Sequence, residues 1–534
     1  MNRAPPKPKT AVKRKRAFAP RSRTGCRTCR IRHIRCDESS GQCRNCTSSG
    51  WNCDGYDIHR LRRGCPATSA DGGTSAGSTM TLDEHRSFSH FQHHSVLHLT
   101  GLFDSPLWEQ HVLQMCHADA AVFHAVNMLS AAHQECEINN MQLVNEAVQS
   151  HQVYRFMLQQ SARAMRLLNQ RMSTRSKDPE LTQVVLLCCV LFIMTDVLLG
   201  RYETAWTHLH CGMHIIEDEQ TPPIEPSLVA VFRRLDTQAA LYGKSQKALS
   251  NPQLPLTREL PPIEPFTIFS ELQSAVHSLL MFGVPLIAAC VTLSESDYAT
   301  KYVPLSIAQA RLLSRFAEFN TYFKRFATLY PATLTEKQFH GLDLLRILTS
   351  GLNLVVKIAL MPDPLPASFL PEFLAVLSAH EAYITRYTRD PHRPTLTTDQ
   401  GVIANMYTLA MRAPDIPTRI RAIAVLRAWP HYEGLHSSAS AALLAIHALK
   451  RHLRENGLDP GQALQTTKEE DTFMRQLTGL GKKGAMQGAL SLPVSNSIDR
   501  RGWCNQRTFL EQSKKEQRQQ TPVVLSPLTW LAMQ

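Results

Sequence analysis

A small cysteine-rich cluster domain followed by a large all-α domain is what this 534-residue sequence predicts. Three observations carry the prediction. Six of the 14 cysteines fall between residues 26 and 53. The whole net charge of +13 sits in residues 1–65, and the remaining residues balance to zero. From about residue 84 to 480 apolar residues recur at helical spacing, with little sign of strands. At 43% apolar and 19% charged residues the composition is that of a globular chain, so wholesale disorder is excluded. A neutral protein with a basic head points to a polyanion as the partner of the head alone.

Residues 1–25 read as a basic arm. They open without an apolar stretch of the secretory kind, and Lys13, Arg14, Lys15 and Arg16 form the run expected of a nuclear import signal. Residues 26–56 form the cluster domain. Its cysteines are Cys26, Cys29, Cys36, Cys43, Cys46 and Cys53, which is the unit C-x2-C-x6-C written twice. In a reducing compartment such pairs bind metal rather than each other. One tetrahedral zinc takes four thiolates and two separate zincs take eight. Six thiolates serve two ions only by sharing two sulfurs, and the repeat puts Cys26 and Cys43 in the sharing role. The first half also carries Arg27, Arg30, Arg32, His33 and Arg35, whereas the second has Arg44 alone between its ligands. The first half should therefore face the polyanion, with the second as scaffold.

The segment CRTCRIRHIRCDESSGQCRNCTSSGWNC, residues 26–53, resembles the DNA-binding domain of the fungal binuclear zinc cluster transcription factors. The six cysteines match that family's ligands to two zinc ions, with Cys26 and Cys43 in its bridging slots, and Asp37 matches its acidic residue after the third cysteine. Ser40-Gly41-Gln42 stands where the family usually has a proline, and Arg32 and His33 stand at base-reading positions that are usually lysines. The resemblance implies reading of CGG-type triplets in the major groove, where arginine bonds guanine O6 and N7. It also implies a nuclear location, contact with the transcription machinery and a role as a pathway-specific activator, often of a biosynthetic gene cluster. Arg27, Arg30, Arg35 and Arg44 are expected on phosphates.

Residues 57–83 make a linker, basic at Arg60, Arg62 and Arg63 and then rich in Ser, Gly and Thr. No apolar heptad repeat follows the cluster, so any homodimer must form through the helical domain. His85, His90, His93, His94 and His98 come next; with no further ligand nearby in sequence, they are expected as surface and helix-start residues rather than a metal site.

The helical domain, residues 84–480, resembles the fungal-specific transcription factor domain, which implies a regulatory module. LTGLFDSPLWEQHVLQMCHADAAVFHAVNMLSAAH is similar to its opening and RAIAVLRAWPHYEGLHSS, near 421–438, to a stretch near its end. Ser105-Pro106 and Asp119 are helix starts, and the apolar run 181–199 is a core helix paired with the next in a hairpin, too short and interrupted by Asp196 for a membrane span. Further helices are expected near 268–293, 304–330, 341–360, 366–388, 398–412, 416–428 and 438–455. No phosphate loop, nucleophile elbow or zinc-protease motif appears, so no enzyme is expected. Residues 481–534 form a polar tail. The rival readings are a non-specific nucleic-acid binder and a helical scaffold that uses the zinc head for protein contacts.

Overall fold

The structure is a computed structural model. It describes residues 28–29, 32, 34, 36–37, 43–51, 53, 80–142, 151–173, 180–218, 221–245, 260–291, 293, 295–330, 334–387, 393–459 and 464–466. The basic arm, most of the linker and the tail lie outside these residues. The chain divides into two units, Met1–Thr79 and Met80–Gln534.

In the first unit the described backbone centres on one short helix, α1 (Arg44–Thr47). Cys43 caps it, its Sγ accepting the Cys46 amide at 3.3 Å. Gly50, at φ +70°, turns the chain at the other end, and the Trp51 amide returns to the Cys46 carbonyl at 3.0 Å. That left-handed corner favours glycine.

Among the described residues, the regular structure of the second unit is helical apart from three two-residue strands. Thr81 and Glu84 form a reciprocal capping box that starts α2 (Leu82–His90). The helix continues through a wide π turn, Phe91–Ser95, into a last turn, Val96–Leu99. Leu107–His111 is a second π turn, begun by the Ser105 carbonyl, which accepts the amides of Trp108 and Glu109, and it leads into α3 (Val112–Ala118). Asp119 caps α4 (Ala120–Ile138), accepting the Ala121 amide at 2.7 Å, and also pairs with Arg171 of α5 (His151–Ser173). Next come α6 (Leu181–Leu198), α7 (Tyr202–Glu217) and α8 (Pro226–Ala239).

These helices enclose a first apolar core around Trp108, Val122, Val126, Leu129 and Phe232. The expected core helix α6 is buried nearly all round, with Val184 to Thr195 unbroken in the interior. By length and composition α6 and the later helix at Phe269–Val291 could each cross a membrane; α6 lies mostly inside the body, as a core helix does.

The second core is built by α9 (Phe269–Val291), α10 (Glu295–Leu329), α11 (Glu336–Ile358), α12 (Leu370–Tyr387), α13 (Ile403–Arg412), α14 (Ile416–Ala428) and α15 (Ser438–Glu455). The all-α expectation needs one refinement. β1 (Leu396–Thr397) pairs in parallel with β2 (Tyr432–Glu433), which pairs antiparallel with β3 (His436–Ser437). This small sheet joins the cores: Leu396, Tyr432 and Leu435 belong to the first, while α13 to α15 belong to the second. Gln238 of α8 holds it by accepting the Leu435 amide at 2.9 Å. Gly434, at φ +58°, lies against that Gln238 carboxamide, and an added Cβ would sit 2.3 Å from its oxygen.

Glu433 sits at the centre of the seam, 1% exposed. It accepts the amides of Gly401, Val402 and Ile403 at the start of α13 and faces His431 Nε2 at 2.8 Å. Burial works against its charge, yet His431 and the amides outweigh it and hold the carboxyl below the usual carboxylate range.

Candidate metal centre and nucleic-acid interface

Five of the six predicted ligands are described, and they converge. Cys29, Cys36 and Cys43 form one triad and Cys43, Cys46 and Cys53 another, with the sulfurs of each within 4.8 Å of one another. Cys43 is common to both, which is the geometry a bridging sulfur requires. Its Sγ lies 3.5 Å from that of Cys29, and Cys29 Sγ lies 3.7 Å from that of Cys46. These separations far exceed the ~2.05 Å of a disulfide. The Cys29–Cys43 separation, within one triad, matches the ~3.8 Å between thiolates on one tetrahedral zinc with Zn–S bonds of about 2.3 Å. The residues present therefore fit zinc. Cys26, the other expected bridge, lies outside the described residues.

The acidic residue after the third cysteine has a clear local task. Asp37 Oδ2 accepts the Arg44 amide and Oδ1 the Asn45 amide, each at 3.1 Å. One carboxylate thus ties the first half of the cluster to the first turn of α1, where negative charge is favoured.

Two of the six expected DNA-contacting residues are described. Arg44 is exposed on α1. Arg32 reaches to the second half, with Nη1 donating to Ser49 Oγ at 2.8 Å and its guanidinium 4.8 Å above the Trp51 ring. Trp51, 56% exposed, and Ser49 are neighbours that the sequence reading did not single out. Arg27, Arg30, His33 and Arg35 lie outside the described residues.

In the body, the remaining described cysteines are buried, as expected of core residues; burial pushes the thiols of Cys136 and Cys290 up to about 12. A pocket opens between the second core and the sheet. Leu280, Val284, Leu352 and Val355 supply apolar wall. Gln400 Nε2 and His436 Nε2 are lining atoms buried without a hydrogen-bond partner.

The histidine group departs from expectation. His85 and His93 are exposed, but His90, His94 and His98 turn inward from one face of α2 and its continuation. They meet His133 and Glu137 of α4. The missing ligands come from a helix some 40 residues later, which no local spacing reveals.

Residues 24–63 match the model of the fungal Zn(2)-Cys(6) binuclear cluster domain, and residues 86–242 match that of the fungal specific transcription factor domain. The second match covers the helices of the first apolar core but not its Leu396, Tyr432 and Leu435; the 421–438 stretch lies beyond it. The chain is 28% identical over 228 residues to the aspercryptin biosynthesis cluster-specific transcription regulator atnN of Emericella nidulans, covering 38% of this chain and 35% of that one. It is 26% identical over 206 residues to the transcription regulator lscL of Purpureocillium lilacinum, covering 36% and 49%. Over 36 residues, 7% of each chain, it is 53% identical to the transcriptional regulatory protein moc3 of Schizosaccharomyces pombe. The matches thus span about a third and about half of the first two relatives. No solved structure matches the chain.

Proposed function

We propose that this chain, which carries a fungal Zn(2)-Cys(6) binuclear cluster domain and a fungal specific transcription factor domain, is a nuclear transcription regulator that reads CGG-like triplets of double-stranded DNA. The observation that carries the reading is the pair of cysteine triads sharing Cys43, beside a first half rich in arginine. Cys26, Cys29, Cys36, Cys43, Cys46 and Cys53 hold two zinc ions, and the ions supply the folding energy that so small a unit lacks. Arg32 and His33 address base edges, while Arg27, Arg30, Arg35 and Arg44 hold phosphates. Ser49 engages one of the five guanidinium donors of Arg32, and the stack on Trp51 keeps the plane oriented.

The target we propose is a biosynthetic gene cluster, and the printed name of the Emericella relative supports that choice. The body acts as the regulatory part. It pairs two copies where two triplets are read and contacts the transcription machinery. Its apolar pocket, with two unpartnered polar atoms, suits a small effector.

Selection of random duplex DNA by the zinc-loaded full chain, at about 0.15 M salt where non-specific binding is weak, tests this reading. An enriched CGG-related triplet is the expected result, and its copy number reports one cluster or two. Retention of all sequences alike would overturn it in favour of a non-specific binder.

A further inference from the structure

We propose that the helical body holds a second metal site, separate from the cysteine cluster, in which Glu137, His90 and His94 bind one divalent transition-metal ion of the zinc class. His90 and His94 are one turn apart on α2 and its π turn, with ring centroids 4.7 Å apart. Glu137 faces both from α4: its Oε2 lies 2.7 Å from His94 Nε2 and 3.9 Å from His90 Nε2. The three ligand atoms fall within 4.8 Å of one another. Zn–N bonds of about 2.0–2.1 Å place ligand atoms about 3.4 Å apart, so closure on an ion needs side-chain movements of the order of 1 Å.

The surroundings are built for a ligand set rather than for packing. His90 Nδ1 lies 3.2 Å from Ser130 Oγ, which leaves Nε2 directed at Glu137. Metal-bound imidazoles are commonly oriented this way, through the other ring nitrogen. His98 and His133 buttress the carboxylate from behind, their nitrogens 3.5 and 3.6 Å from Glu137 Oε1. Thr395, from the loop before β1, stands among them, with Oγ1 2.8 Å from Glu137 Oε1, 2.6 Å from His98 Nδ1 and 2.9 Å from His133 Nε2.

The Thr395 backbone amide donates to His98 Nδ1 at 3.0 Å, so that nitrogen presents a lone pair. The Thr395 hydroxyl has one proton, yet both His98 Nδ1 and Glu137 Oε1 are in reach of it. The His94 side chain is 43% exposed, which gives an ion a way in. An ion there would pin α2 to α4 and, through Thr395, to the strand seam.

The test is metal content of the full chain after exposure to Zn²⁺ and removal of excess, measured beside Glu137→Gln and His94→Ala. One more zinc per chain is expected in the wild type than in either variant, and added Zn²⁺ should raise the melting temperature of the wild-type body only. Glu137→Gln keeps the volume, His94→Ala changes a partly exposed residue, and circular dichroism confirms that both fold. The readout is a difference between chains, so it stands apart from the number of ions in the cysteine cluster and from DNA binding. Equal zinc content in all three proteins, with no Zn²⁺-dependent melting shift, would overturn the site and leave a hydrogen-bonded histidine network.

Discussion

Among the described residues of the N-terminal unit, the buried side chains are Thr28 and four cysteines, while Ile34 and Trp51 face solvent. The body instead buries two broad apolar cores and seals them with a strand seam around Glu433. The first region has sulfurs where the second has leucine and phenylalanine. A chain of this kind has two separate sources of order. On the proposed reading, ligand bonds specify the head, and hydrophobic burial, worth about 1.5–3 kcal/mol per large side chain, specifies the body. The two should fail under different insults.

Chelation has the largest expected effect. Structural zinc supplies on the order of 10 kcal/mol of folding energy, so strong chelation should abolish DNA binding while helical circular dichroism stays near its starting value. Loss of DNA binding and helicity together would erase the contrast. Glu433→Ala is the converse insult. It strips three amides and His431 of their partner, and should cost the body about 3–5 kcal/mol, read by thermal or denaturant unfolding, with zinc content of the cluster unchanged.

Acid should also act on the body. Burial lowers His208, His380 and His436 to about 4, well below the ordinary histidine value. Between about pH 6.5 and 4 the unfolded chain therefore binds more protons than the folded one. Stability is full above about 6.5 and falls as pH drops through that window, by up to about 3 kcal/mol per histidine. Unfolding midpoints measured across that range check this, and a flat profile would contradict the buried neutral state.

Two smaller effects sharpen the head. Arg32→Ala should cost about 1–3 kcal/mol of discrimination at one base pair, whereas Arg44→Ala should weaken all duplexes alike and lower the salt slope by about 1. Binding isotherms on matched and mutated duplexes at several salt concentrations separate the two. Asp37→Ala should cost only about 1 kcal/mol, through loss of the cap on α1, and should show as weaker zinc retention.

Much of this architecture is legible in the sequence because its determinants are local. The cysteine spacing alone brings Cys29, Cys36, Cys43, Cys46 and Cys53 together. Asp119, Asp415 and Ser437 cap their helices with their own side chains, and α14 and α15 begin and end where periodicity and caps put them. The start of α10 differs from expectation. Expected to start near 304, the helix runs back to Glu295 with Pro304 inside it. The two-residue strands leave no alternating pattern to read. What stays hidden is non-local. Arg32 meets Ser49 and Trp51 across the cluster, and His133, Glu137 and Thr395 join the α2 histidines from 40 to 300 residues away. Only folding brings those groups to one place.

The central claim is that a metal-held head gives the chain sequence specificity. It is tested most directly by measuring affinity of the zinc-loaded full chain for a CGG-bearing duplex and for a scrambled one across a salt series. The account predicts a preference for the CGG duplex of about a thousandfold or more at physiological salt. Equal affinities falling with the same steep salt slope would contradict it, and would make the basic head an electrostatic anchor.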